Sequence, residues 1–170
     1  AINETDGSTQ VAGIAVAAST ALTASSTETN FDNSVLTIPA NTLRVGDVIR
    51  VRAQGIATAT NSTDTLTAKI KIGSTAVATT GAKDVNNNDI FYLEADIVIR
   101  TIGASGTLVA TGVQALGAEG TVTNAPFKLA STTVDTTAAQ TLAISGQWST
   151  TNAGNSCRLD VCDWQILHRN

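Results

Sequence analysis

Ile90-Phe-Tyr-Leu-Glu-Ala-Asp-Ile-Val-Ile-Arg-Thr101 is the stretch whose reading decides the fold. In an extended chain successive side chains point to opposite faces. Phe91, Leu93, Ala95, Ile97 and Ile99 therefore share one face, and Tyr92, Glu94, Asp96, Val98 and Arg100 share the other. A helix would scatter both sets around its axis. The stretch reads as a strand covered on one side, which is the mark of an antiparallel sheet.

The same period recurs on both sides of it. Asp47 to Thr58 places Ile49, Val51 and Ala53 inward and Arg50 and Arg52 outward. Thr65 to Ile72 places Leu66, Ala68, Ile70 and Ile72 inward, with Thr65, Thr67, Lys69 and Lys71 outward. Thr107 to Leu116, Phe127 to Thr132, Thr141 to Trp148 and Cys157 to His168 supply further strands. Turn signals separate them: Pro39 ends a short strand, Gly46 allows a tight turn, and Gly103-Ala-Ser-Gly106 joins two strands. Eight to ten short strands with turns between them, and no convincing helix, predict an all-β, antiparallel, jelly-roll-like β-sandwich.

Two regions depart from the alternation. Residues 1–30 are small and almost uncharged around Val11, Ile14 and Val16, with no capping box. They are expected to form an extended N-terminal arm ahead of a sandwich domain over residues 31–170, and to need a neighbour, either their own subunit or another chain. In the last strand Leu159 and Val161 would share one face, and Cys162, Trp164 and Ile166 the other, with Leu167 adding to the first. A strand apolar on both faces is either central or part of an interface. Val11, Ile14, Val16, Trp164, Ile166 and Leu167 are accordingly the candidate oligomer or capsid interface, Trp164 as anchor or as ordinary core.

Composition limits the chemistry. Of 170 residues, 28 are Thr and 26 are Ala, and only 14% are charged, for a net charge of −4. That balance argues against a nucleic-acid binder working through phosphate neutralisation. No run of about 18 apolar residues is present, so no spanning helix is expected, and the first residues lack the basic start of a signal peptide. Cys157 and Cys162, five apart in one strand, would lie roughly 16 Å from each other, beyond disulfide reach; they are expected to be free, buried thiols. His168, the only histidine, is expected to be a satisfied surface or interface group.

Glycine-rich phosphate loops and nucleophile elbows are missing. Glu94 and Asp96 could pair as carboxylates, but Arg50, Arg52, Lys69 or Lys71 on a neighbouring strand explain them as ion-pair partners. The loop Asp84-Val-Asn-Asn-Asn-Asp89 is rich in oxygen but lacks calcium-loop spacing. The expectation is no catalytic residue, no metal and no cofactor.

Three stretches carry a resemblance: Leu36-Thr-Ile-Pro-Ala-Asn-Thr-Leu-Arg-Val-Gly-Asp-Val-Ile-Arg-Val51, Leu93-Glu-Ala-Asp-Ile-Val-Ile-Arg-Thr-Ile-Gly-Ala-Ser-Gly-Thr107, and Thr133-Val-Asp-Thr-Thr-Ala-Ala-Gln-Thr-Leu-Ala-Ile-Ser-Gly-Gln-Trp-Ser149 with the closing apolar strand. Over residues 34–168 the chain resembles small jelly-roll virion proteins of tailed bacteriophages, which decorate heads or form fibre and spike tips. The resemblance implies a homotrimer on the outer capsid surface of a virion, with itself and the phage major capsid protein as partners and neither nucleic acid nor membrane. A capsid decoration, or cement, protein is the first functional expectation. A receptor- or glycan-binding head domain of a tail fibre or spike is the alternative.

Overall fold

The computed structural model describes residues 10–61 and 63–168, the first five as main chain only. The described residues form thirteen strands: β1 (Gln10–Ile14), β2 (Leu22–Thr23), β3 (Thr29–Asn30), β4 (Leu36–Ile38), β5 (Val48–Thr58), β6 (Thr65–Ile72), β7 (Thr75–Thr79), β8 (Lys83–Asp84), β9 (Asp89–Thr101), β10 (Gly106–Gly117), β11 (Ala125–Val134), β12 (Gln140–Trp148) and β13 (Ser156–Leu167). A single 3-10 turn at Asp32–Ser34 is the helical element among the described residues.

Two antiparallel sheets form a β-sandwich. The larger, seven-stranded sheet runs β1-β13-β5-β9-β10-β11, with β2 on the far end of β13; the smaller, six-stranded one runs β3-β12-β6-β7, with β4 on β12 and β8 on β6. Strands next to each other in sequence, such as β5 and β6 or β12 and β13, lie in different sheets. Each crossing brings two inward faces together, which is how half-apolar strands bury their apolar halves.

The alternation seen in the sequence is the alternation of burial. Ile49, Val51, Ala53, Leu66, Ala68, Ile70, Phe91, Leu93, Ala95 and Ile97 are all fully buried. Each Val, Leu, Ile or Phe side chain among them contributes about 1.5–3 kcal/mol over leaving it in water. Phe31 and Phe91 stack with ring centroids 5.7 Å apart and join the layers. The turn before β5 closes as expected, with Gly46 at φ 91°, a conformation that suits a residue without Cβ.

One expectation is narrowed to one of its alternatives and one changes. Residues 10–30, expected as an arm, lie along the edges of both sheets of their own subunit. β1 pairs with β13 from Gln10 opposite Leu167 to Ile14 opposite Asp163. Ala15 N–H donates to Cys162 O at 2.9 Å, Ser19 N–H to Leu159 O at 2.8 Å, and β2 and β3 continue the contact onto β13 and β12. A segment of small side chains buries little area alone, and a free strand edge with unpaired main-chain groups gives it a partner.

The change is in β13. Asp160 has no partner on β5: Leu159 faces Gly55 and Val161 faces Gln54. This β-bulge shifts the phase by one residue. Cys157, Leu159, Cys162, Trp164 and Ile166 all face the core as a result, while Val161 points outward, 48% exposed. The strand is not apolar on both faces; it is one inward face interrupted by a bulge. Gly55 makes the bulge possible, because a Cβ there would sit 2.2 Å from both Arg158 O and the Phe91 ring.

Candidate functional site

Five of the six residues expected at an interface lie on the paired strands β1 and β13, with Val11 opposite Ile166, and Val16 follows β1. Trp164 is buried and its indole Nε1–H donates to Ser34 O at 2.8 Å. Ser34 is itself fixed, its hydroxyl donating to Phe31 O and accepting from Ile144 N–H. Trp164 thus ties β13 to the segment between β3 and β4, in the core of one subunit. Ile166 is buried beside it and Leu167 is half-buried; the interface role is corrected for Trp164 and Ile166, since a side chain already enclosed by its own chain offers no contact area to another. Val16 projects into solvent, 99% exposed. The side chains of Val11 and Ile14 lie outside the described residues.

Cys157 and Cys162 are free and buried, as the sequence suggested, although the bulge turns them to the same face. Burial pushes both thiols up to about 12, Asp163 adding to the shift at Cys162, so neither is a thiolate near neutral pH. His168 Nδ1 lies 2.7 Å from the carboxylate of Asp47, which is fully buried and also accepts the Arg44 N–H at 2.8 Å. The histidine is half-buried and satisfied.

Of the two outward carboxylates of β9, Asp96 has the cross-strand ion pair expected of it, whereas Glu94 takes the Tyr92 hydroxyl and Lys69 and Lys71 lie on the other sheet. Arg50 Nε donates to Asp96 Oδ1 at 2.8 Å, with both side chains nearly half exposed. Arg52 faces Glu94 across the strands and lies over the Tyr92 ring, 6.0 Å from its centroid, while the Tyr92 hydroxyl donates to Glu94. Burial, then the neighbouring Glu94, raises the Tyr92 hydroxyl above its ordinary range. At the start of β9, Asp89 is buried and accepts the Asn86 N–H at 2.8 Å, which closes the preceding loop onto the strand. Among the described residues no group of three or more His, Cys, Asp or Glu side chains is placed to hold a metal ion.

The sequence reading passed over Glu28. Its carboxylate receives Lys69 Nζ at 2.5 Å, Lys71 Nζ at 2.7 Å and the Ser145 hydroxyl at 3.0 Å. Burial raises its pKa, but the hydrogen bonds from Lys69, Lys71 and Ser145 together outweigh that and hold it at about 2. The cluster fastens residues 24–30 to the outer face of the smaller sheet. Two outward lysines at alternate positions of β6 were the available signal; their partner, some forty residues upstream, was not.

Surface concavities gather on the larger sheet. One of about 400 Å³ lies on its outer face across β9, β10 and β11, lined by Asp96, Val98, Arg100, Val109, Thr111 and Lys128. Another of about 220 Å³ opens between β7 and β11, lined by Ala76, Ala78, Gln114, Phe127 and Leu129. A third, of about 310 Å³, is bounded by Gln54, Ile90, Tyr92, Glu94, Val122 and Asn124. The chain matches no family model and no curated protein.

Proposed function

We propose that this chain is a virion structural protein, a trimeric capsid decoration protein that binds and stabilises the outer surface of a phage head. The observation that carries the reading is the strand order. β1-β13-β5-β9 faces β4-β12-β6-β7, so the first and last strands are neighbours and, of these eight strands taken in sequence order, every successive pair except β6 and β7 crosses the sandwich. That order supports a jelly roll of two Greek keys, extended on one sheet by the β10–β11 hairpin, and jelly rolls are used by capsid proteins and lectins.

The fold hosts several functions, so the surface has to choose among them. Among the described residues, its exposed large apolar groups are the scattered aliphatics Val16, Val35, Val45, Ile102 and Val161. Both tryptophans are buried. A few aliphatic contacts per subunit, repeated around a trimer, add through effective concentration. An acidic balance limits adhesion to nucleic acid. The test mixes purified protein with undecorated heads: stoichiometric binding, heads that resist heating better, and a native mass of three chains are expected. Absence of binding, with heads equally labile, overturns the proposal.

A second reading, a glycan-binding head domain of a fibre or spike, is favoured by one feature: the concavity beside Tyr92, where Gln54, Glu94 and Asn124 offer polar groups around an aromatic ring. Selective binding on a glycan array, lost in Tyr92→Ala, would establish it in place of the first.

A further inference from the structure

We propose that the free edge of β11 is a strand-addition site for an extended acidic segment of a partner polypeptide. β11 is the terminal strand of the larger sheet, paired with β10 from Val134 opposite Gly106 to Ala125 opposite Gln114, and no strand among the described residues is hydrogen-bonded to its other edge. Half of the main-chain donors and acceptors of such a strand point away from the ladder and form a template for another chain.

The two faces beside this edge differ in chemistry. On the inner side Phe127 and Leu129 are only partly covered, and with Ala76 and Ala78 of β7 they line the 220 Å³ groove. Gln114 Oε1, on the same groove, is a buried acceptor without a hydrogen-bond partner. On the outer side Arg100 and Lys128 are exposed at the 400 Å³ concavity, and neither forms an ion pair with a described residue. Asp96, the acid at that concavity, is already held by Arg50. In a chain of net charge −4, two uncommitted cations at one concavity are a specific feature.

An added strand presents alternate side chains to the two sides. Its apolar residues fit the groove between β7 and β11. Its acidic residues, about 5 Å from the side chains of β11 on the outer face, come within reach of Lys128, with Arg100 beyond. Pro126 and Lys128 also do what such residues do on exposed edges, guarding against indiscriminate pairing. Two copies of β11 would bring like charges to one face, so the edge disfavours its own kind and selects an acidic strand. This inference stands apart from the decoration reading, which concerns the particle; the edge would select the same chemistry on any assembly.

The test uses the full chain and a capped heptapeptide of alternating valine and glutamate, with the same peptide carrying lysine for glutamate as control. Hydrogen exchange is expected to slow at residues 127–133 with the glutamate peptide alone. Binding should weaken with salt, and by at least about tenfold in the double variant Arg100→Glu, Lys128→Glu. Both substitutions are on exposed side chains, and an unchanged melting temperature verifies that the variant folds. Equal binding of both peptides, no binding, protection at another edge, or amides of 127–133 already protected in the free protein by a second copy would each overturn the proposal.

Discussion

Replacing Glu28 by Gln removes the charge that holds residues 24–30 against the smaller sheet while keeping the shape of the side chain. The native carboxyl titrates at about 2 against an ordinary 4.5. Each pKa unit corresponds to about 1.4 kcal/mol, so the full difference is roughly 3 kcal/mol. A quarter of the side chain still meets solvent, and screening lowers the expected contribution to about 1–2 kcal/mol. The native pKa is depressed, so this stability is fully present above pH 4.5 and is lost as pH falls through 2. Urea unfolding of the protein and of Glu28→Gln, followed by tryptophan fluorescence at several pH values, reads the difference directly. The gap is expected to be about 1–2 kcal/mol at pH 7, to narrow below pH 5 and to vanish near pH 2. Other carboxylates titrate in both proteins and cancel. A gap that is absent at pH 7, or that stays constant down to pH 2, would refute the reasoning.

Gly55→Ala drives a methyl group against Arg158 O and the Phe91 ring, and is expected to cost more than about 3 kcal/mol or to prevent folding, as measured by thermal melting. Trp164→Ala should cost about 3–5 kcal/mol in unfolding experiments through the lost volume and the lost bond to Ser34 O, with the oligomeric mass of the remaining folded protein unchanged. Arg50→Ala, at a pair nearly half exposed, should shift stability by less than about 0.5 kcal/mol. Cys157 and Cys162, with thiols at about 12, should resist an aromatic disulfide reagent at pH 8 and react fully in urea.

Much of the sandwich was legible in the residues. Which side of β5, β6 and β9 faces the core follows from the strand itself, because the two-residue period is a property of extended backbone and needs no knowledge of the neighbour. Ile49, Leu66 and Phe91 could be assigned inward, and Arg50 and Asp96 outward, from that period alone. The turn at Gly46 and the end of β4 before Pro39 were likewise local matters of φ and of a missing N–H.

Tertiary structure decided the rest, for reasons that lie in the partner strand. Val161 is outward and Cys162 inward because Asp160 is left unpaired, and that depends on Gly55 and Phe91, about a hundred residues upstream in one case and seventy in the other. The small-residue stretch before Phe31 lies on its own subunit because β13 offers it an edge and Lys69, Lys71 and Ser145 offer Glu28 a seat. Trp164 belongs to the core because Ser34 O waits there for its N–H. A side chain's alternation is written along one strand; register, bulges and the pairing of distant polar groups belong to two strands at once, and one sequence read in order does not contain the second.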